Sequence, residues 1–392
     1  MRAEPRFACV FSASLVPQFG WPEFGAVHRR KCCVGVKYTL DQNTSRILVN
    51  VRCIRGLEFL SEDFLSERPV GELSVHAAMR RLAGRSVSGL GFGGYRISSA
   101  VREHRAALIA ALDHGASVVD TSPNYADGGS ETLIGSILAG RRECRPVVVT
   151  KVGTLQGGQL ADAVAREQAG NPWPDVVKIS ASAWVCLAPE FIAHSLAGST
   201  RRLGAPPDVV LLHNPELVLA DMHRRGALSD AAIDSFYERM LPRAFAALEA
   251  ELPGLSCYGV SANTIGCRWG ALGGANEREA LDLRRTLDAA AKAAKAASLE
   301  GGGGGGREVG EARGGRGGGE AQHRCRVLQM PLNLLEPDAA AAPAALARSL
   351  GLSVTTNRRG LGLGLGLGLG LGLGLGCRLL EDLEVAGATG DD

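Results

Sequence analysis

A chain of 392 residues that is 45% hydrophobic can fill one large core or two ordinary ones, so size sets no limit on the fold. Its 43 Lys and Arg stand against 41 Asp and Glu, a balance that excludes a strongly basic nucleic-acid binder or a protein held electrostatically on an anionic membrane. Ten cysteines without a C-x-x-C pair read as reduced thiols, and no run of about 18 apolar residues is present to form a spanning helix.

Residues 1 to about 75 carry no sustained helix or strand period. From Met1 to Gly56, nine Lys or Arg accompany three acidic residues, a balance shared by organellar transit peptides and by disordered extensions. Residues 1–77 are therefore read as an N-terminal extension that is targeting, disordered or a misassigned start. The expected location is cytoplasmic, or an organelle if the extension is a transit peptide.

Between Val87 and Arg359 strand and helix alternate. The spacing predicts strands near 87–92, 116–120, 146–151, 207–212, 256–261, 326–330 and 352–356, with helices over 100–114, 130–139, 189–203, 241–252, 278–298 and 338–349. Such a βαβα series argues for parallel pairing with right-handed crossovers, in a doubly wound sheet or a (β/α)8 barrel. Two low-complexity stretches stand outside it. Residues 301–320 are glycine-rich with balanced Arg and Glu, which suits a flexible surface insertion. Residues 360–376 alternate Gly and Leu, a strand pattern whose glycines make order costly and register weakly specified.

Gly89-Leu90-Gly91-Phe92-Gly93-Gly94 formally matches the dinucleotide fingerprint G-x-G-x-x-G. That fingerprint needs a helix opening at its third glycine, whereas Tyr95 to Ser99 intervene here, so a turn after a barrel strand is the better reading. His104 and His114 lack metal-ligand spacing with any acidic or cysteine partner, and no metal site is expected.

The polar residues Asp120, Tyr125, Lys151 and His213 lie at the ends of three short apolar runs, 116–119, 147–150 and 208–212, that look like buried parallel strands. Taken singly they fit duller roles: a rim aromatic, a snorkelling lysine, a turn cap and a satisfied histidine. Jointly, at the C-terminal ends of successive strands, they occupy the face where barrel enzymes place catalysis. The types suit proton donation to a carbonyl, because a lysine ammonium beside a tyrosine favours tyrosinate and lowers a phenol pKa that ordinarily lies near 10.

The segment DTSPNYADGGSETLIG, residues 120–135, resembles the aldo/keto reductase motif D-T-A-x-x-Y-G-x-G-x-S-E-x-x-x-G. VVVTKVG resembles that family's catalytic-lysine strand. SLAGSTRRLG before DVVLLHNPE, then YGVSANT, LQMPLNLLE and LSVTTNRRG, extend the likeness in order from about Val87 to Arg359. The resemblance implies a (β/α)8 TIM barrel over residues 78–359, with the glycine-rich insertion at 301–320. It implies reduction of an aldehyde or ketone to an alcohol by a nicotinamide cofactor, usually NADPH, with NAD as the alternative. Tyr125 would be the proton donor and Lys151 its modulator; Asp120 would hold the ammonium, and His213 would hydrogen-bond the carbonyl. Ser261, Asn263 and Gln329 are similar to the carboxamide ligands, although Ala262 separates Ser from Asn where many members have them adjacent. Gly93 and Gly94 would line the other side of the cofactor, Asp120 would also contact it, and Asp127, Arg96 and Trp184 are candidates to border the pocket.

After Arg359 the pattern departs from the family. Residues 360–392 offer the Gly-Leu repeat and a short tail where the family has a last strand and a loop and helix for the adenosine phosphate. The eighth strand and C-terminal segment are thus expected to be missing or degenerate. This keeps a second reading open: a non-catalytic aldo/keto reductase-like protein with an incomplete cofactor site. Either way the expected partner is a small-molecule carbonyl or alcohol, with no nucleic acid and no membrane; the oligomeric state is not legible.

Overall fold

A computed structural model describes residues 32–41, 46–55, 79–141, 143, 145–251, 255–265, 277–300, 323–331, 337–357 and 375–379. The chain divides into two compact units, Met1–Ser74 and Val75–Asp392. In the first, β1 (Cys32–Asp41) pairs antiparallel with β2 (Arg46–Arg55), from Cys32 opposite Arg55 to Asp41 opposite Arg46. The sequence pattern carries no strand period there, so this pairing is a finding of the structure.

The second unit begins with an antiparallel hairpin, β3 (Met79–Leu82) and β4 (Arg85–Ser88). The alternation then runs β5 (Leu90–Gly93), α1 (Arg102–Asp113), β6 (Val118–Asp120), α2 (Gly129–Leu138) and β7 (Val147–Val152). After β7 come β8 (Thr154–Leu155), α3 (Gly157–Gln168), β9 (Val177–Ser180) and β10 (Ala183–Val185); β8, β10 and β9 form a small antiparallel sheet. Next are α4 (Pro189–Leu203), β11 (Val209–His213), α5 (Leu217–Arg224), α6 (Asp230–Ser235), α7 (Leu241–Ala250) and β12 (Cys257–Ser261). The order closes with α8 (Leu283–Glu300), β13 (Cys325–Pro331), α9 (Pro337–Ser349), β14 (Ser353–Asn357) and β15 (Leu375–Leu379).

Strands β5, β6, β7, β11, β12, β13 and β14 pair in parallel in that order, and β15 lies between β14 and β5, antiparallel to both. This is the expected α/β barrel with a degenerate eighth position. A short antiparallel strand here needs no crossover helix, whereas a parallel one would. The glycine-rich insertion at 301–320 and most of the Gly-Leu repeat lie outside the described residues. The formal dinucleotide fingerprint ends in a strand and a turn, and α1 starts only at Arg102, so no helix opens at its third glycine.

The two-residue period of the strands sorts side chains to two faces. Val147 and Val149 of β7 point into the barrel with Val118, Val209, Leu211 and Val327, and the hairpin residues Leu82 and Val87 join that cluster. The alternate residues Val152, Val210, Leu212, Val260, Leu328 and Val354 face outward against the helices. Continuing the inward rows by one step reaches Gly93, Asp120, Lys151, His213, Ser261 and Gln329. Strand register therefore carries these residues to one end of the barrel on its inner face.

Helix α4 shows how local sequence sets an element's limits: Pro189 opens it, and Gly204, with φ of 72°, ends it in the left-handed conformation. It packs on α2, where a Cβ on Gly135 would sit 2.4 Å from the Arg202 carbonyl oxygen. Beside that contact Glu131 is buried. It accepts hydrogen bonds from Thr150 Oγ1 at 2.6 Å and Arg202 Nε at 2.8 Å, and so joins α2, β7 and α4. Because removing one member strands a buried carboxylate, Arg202→Ala should destabilise the fold by about 3 kcal/mol, read as a lower urea midpoint. Most of that loss should vanish in a Glu131→Gln background; an unchanged midpoint for Arg202→Ala alone would show that the pair contributes little.

Candidate active site

The inward rows converge on Lys151, whose side chain is fully enclosed. Its Nζ donates to Asp120 Oδ1 at 2.8 Å, Asp120 Oδ2 at 2.9 Å and the Thr121 carbonyl at 2.8 Å. Burial alone would lower its pKa, but the Asp120 carboxylate beside it outweighs this and holds it above the ordinary lysine value. Lys151 therefore stays an ammonium. It lies 4.7 Å from the centre of the Tyr125 ring, a cation–π distance.

Tyr125 sits in the turn between β6 and α2. Burial pushes its phenol above the usual value of 10.0, Lys151 pulls it down and Asp120 pushes it up; burial wins. The lysine thus acts in the direction the sequence suggests, while the net shift runs the other way. The Tyr125 ring meets the His213 ring edge-on with centroids 6.3 Å apart, and the Tyr95 ring at 5.0 Å. His213 ends β11, and burial followed by the charge of Lys151 pushes its pKa down to about 3. The imidazole is neutral at ordinary pH, able to donate one hydrogen bond and accept another.

Of the remaining sequence candidates, Gln329, Ser261, Gly93 and Gly94 gather around Asp120, whereas Asn263 is bound to other partners. Gln329 Nε2 donates to Asp120 Oδ1 at 2.9 Å, and Ser261 Oγ donates to Gln329 Oε1 at 2.9 Å. Asn263 lies two residues beyond Ser261; its Nδ2 donates to Asn214 Oδ1 at 3.0 Å. Gly93 pairs with Asp120 across β5 and β6, and Gly94 N–H donates to the Asp120 carbonyl at 2.7 Å. Of the suggested rim residues, Trp184 instead packs with Leu155, Leu160 and Phe191 under the small sheet. Arg96 stands 6.0 Å from the Tyr95 ring, and Tyr95 is itself 64% exposed. His104 and His114 are satisfied locally: Ser98 N–H donates to His104 Nδ1 at 3.1 Å, and His114 Nδ1 lies 2.8 Å from the Ala110 carbonyl.

Sequence reasoning missed several participants. Glu216, buried just after β11, accepts the Asn263 N–H at 2.7 Å, and burial pushes its carboxyl up to about 7 against that hydrogen bond. Its place three residues past His213 was the available signal. Ser122, Asn124 and Gln156 form a chain beside His213: Ser122 Oγ lies 3.4 Å from His213 Nδ1 and donates to Asn124 Oδ1 at 2.5 Å, and Asn124 Nδ2 donates to Gln156 Oε1 at 2.6 Å. Ala126 and Asp127 both take left-handed backbone, with φ of 48° and 52°. That conformation costs a residue with a Cβ roughly 1–2 kcal/mol. The family motif has glycine at the position of Ala126, so the sequence hides the strain.

Among the described residues no three His, Cys, Asp or Glu side chains are grouped to hold a metal ion. Cys186, Cys257 and Cys325 are free, buried thiols pushed by burial up to about 12, too high for ready thiolate chemistry. No helix among the described residues is long and apolar enough to cross a membrane.

Residues 89–252 match the family model of the aldo/keto reductase family. No curated protein matches the chain. Solved structures that resemble it include an assigned aldo-keto reductase of Pseudomonas aeruginosa, 19% identical with a TM-score of 0.42, covering 72% of this chain and 79% of its own. The holo form of an aldo-keto reductase from Bacillus halodurans is 17% identical with a TM-score of 0.42, covering 71% of this chain and 65% of its own. An aldo/keto reductase from Klebsiella pneumoniae in complex with NADP and acetate is 19% identical with a TM-score of 0.39, covering 69% of this chain and 64% of its own.

The neutral His213 has a consequence for folding. An unfolded imidazole binds a proton near pH 6.5, whereas the folded one resists it down to about 3. Protons therefore favour the unfolded chain in this window, and stability fully present above pH 6.5 is lost as pH falls toward 3. In His213→Gln the urea midpoint should fall less steeply between pH 6.5 and 4 than in the wild type; parallel curves would mean that His213 titrates normally in the folded protein.

Proposed function

The chain carries the aldo/keto reductase sequence pattern across residues 89–252, and from that premise we propose that it is an oxidoreductase reducing a small aldehyde or ketone to the alcohol with NADPH, or with NADH as the alternative. The observation that carries this reading is the enclosed Lys151 ammonium, held by both oxygens of Asp120 and lying under the Tyr125 ring beside a neutral His213. A bound nicotinamide cofactor supplies the hydride. The residues around Asp120 suit its carboxamide: the Ser261 hydroxyl and the Gln329 amide offer both donors and acceptors, with Gly93 bare of side chain beside them and Asn263 two residues past Ser261.

The chain's own residues account for the proton. Tyr125, kept protonated by burial, donates its phenolic proton to the carbonyl oxygen as the carbon receives the hydride. The phenolate left behind is stabilised by Lys151, and Asp120 keeps that lysine charged and aimed. Tyrosinate is then reprotonated from solvent. His213 holds the carbonyl oxygen by a neutral hydrogen bond, so no second charge competes with Lys151.

A second reading, a non-catalytic relative with an incomplete cofactor site, is favoured by one observation. The eighth barrel position is filled by a short strand, β15, that runs antiparallel to both of its neighbours. Fluorescence titration separates the two. Micromolar NADPH binding supports the reductase; a folded protein that binds neither NADPH nor NADH supports the second reading. Tyr125→Phe should lower turnover of an aldehyde panel about 10²- to 10⁴-fold while NADPH affinity changes little. Equal turnover in wild type and variant would remove Tyr125 as the acid.

A further inference from the structure

We propose that the N-terminal turn of α3, Gln156 to Gly158, is a positioning element that clamps the Tyr125 turn through Asp127 and Asn124. Three observations converge on it. Tyr125 is followed by two residues in left-handed backbone, Ala126 and Asp127, then by Gly128 with φ of 81°. A non-glycine pair in this conformation relaxes unless its surroundings hold it.

The hold is visible. Asp127 Oδ1 accepts the Gly158 N–H at 2.7 Å, one of the orphan donors at the start of α3, and its negative charge meets the positive end of that helix. The two glycines make room for it. A Cβ on Gly157 would lie 2.7 Å from Asp127 Oδ1, and one on Gly158 would lie 3.1 Å from it; Gly157 itself has φ of 54°. On the other side of Tyr125, Asn124 Nδ2 donates to Gln156 Oε1 at 2.6 Å. Asn124 before Tyr125 and Asp127 after it are therefore tied to Gln156 and Gly158, two positions of one neighbouring turn.

Asp127 and Gln156 hold the residues on either side of Tyr125, so they are positioning residues that act through its turn. Without the clamp the strained pair relaxes, and the phenol moves off Lys151. Displacement of a reacting group by about 1 Å can cost about a hundredfold in rate. The consequence for turnover rests on the reductase reading; the consequence for the ring does not.

The test labels tyrosine with ¹³C at Cζ in the full chain, which contains five tyrosines, and assigns Tyr125 by the signal lost in Tyr125→Phe. In Asp127→Ala the Tyr125 signal should move or broaden, and its alkaline titration should shift as Lys151 is lost as a neighbour. Asp127→Asn, whose amide oxygen still accepts the Gly158 N–H, should restore the wild-type signal. Adding Ala126→Gly to Asp127→Ala should restore most of it, because glycine takes left-handed backbone without a clamp. Turnover should fall about 10- to 100-fold in Asp127→Ala, with the KM for NADPH within twofold, and recover in the other two variants. A Tyr125 signal unchanged by Asp127→Ala, or one that moves and is recovered by neither second change, overturns the proposal. A signal that moves and recovers in a protein reducing no carbonyl supports the clamp and removes the catalytic role of Tyr125.

Discussion

A lysine ammonium with no exposure to solvent is the constraint around which the rest of the site is arranged. Removing such a charge from water costs several kcal/mol even after relaxation, and only well-aimed partners offset it. Asp120 supplies both carboxylate oxygens and Thr121 a carbonyl, so the ends of β6 and β7 must sit side by side in one register. Gln329 then binds the same carboxylate from four strands away around the barrel, and Ser261 binds Gln329. Each added partner fixes another strand's height relative to Lys151. The charge thereby enforces the layer in which the chemistry is proposed to occur.

The twelve residues from Asp120 to Glu131 are anchored at both ends by buried polar groups. At one end stands the Lys151 pair. At the other, Ser130 Oγ donates to the Gly94 carbonyl at 2.8 Å, and Glu131 is bound by Thr150 and Arg202. Thr150 and Lys151 are neighbours on β7 with opposite facing. One strand thus reaches the inner charge network with one residue and the outer network with the next. The Tyr125 turn is stretched between the two, and its shape is decided less by its own preferences than by where its ends are held.

Electrostatics at the site divide labour by burial. The same desolvation that keeps Tyr125 protonated and His213 neutral would also discharge Lys151, were Asp120 not beside it. One cation, one carboxylate, one phenol and one neutral imidazole result. A donor that must give up a proton and then tolerate its own negative charge needs this combination: protonated before transfer because it is buried, and stabilised afterwards because the adjacent cation cannot leave.

Much of this was legible along the chain. β-branched runs with a two-residue period carry their polar ends to one face of a parallel sheet, so Asp120, Lys151, His213, Ser261 and Gln329 could be grouped from spacing and resemblance together. The helix expected over 189–203 is α4, bounded in the structure by Pro189 and Gly204. What lacked a local signal was missed. The hairpin at 79–88 and the small sheet of β8, β9 and β10 are short strands whose pattern is set by what they cover. Helix α3 lies where no helix was expected, and its first turn holds Asp127 and Asn124 beside Tyr125. Glu216 and the chain from Ser122 to Gln156 are ordinary polar residues until folding brings their partners within reach. The left-handed Ala126 runs against its own backbone preference. By itself the sequence determined an alternating series of parallel strands and helices and the identity of the polar residues at the strand ends, because strand period and side-chain chemistry are properties of neighbours in the chain; closure into a barrel was implied by the family resemblance. Only the tertiary structure decided which of those residues touch, which stay charged and how the turn around Tyr125 is held, because burial, register and long-range hydrogen bonds exist only once distant segments are packed together.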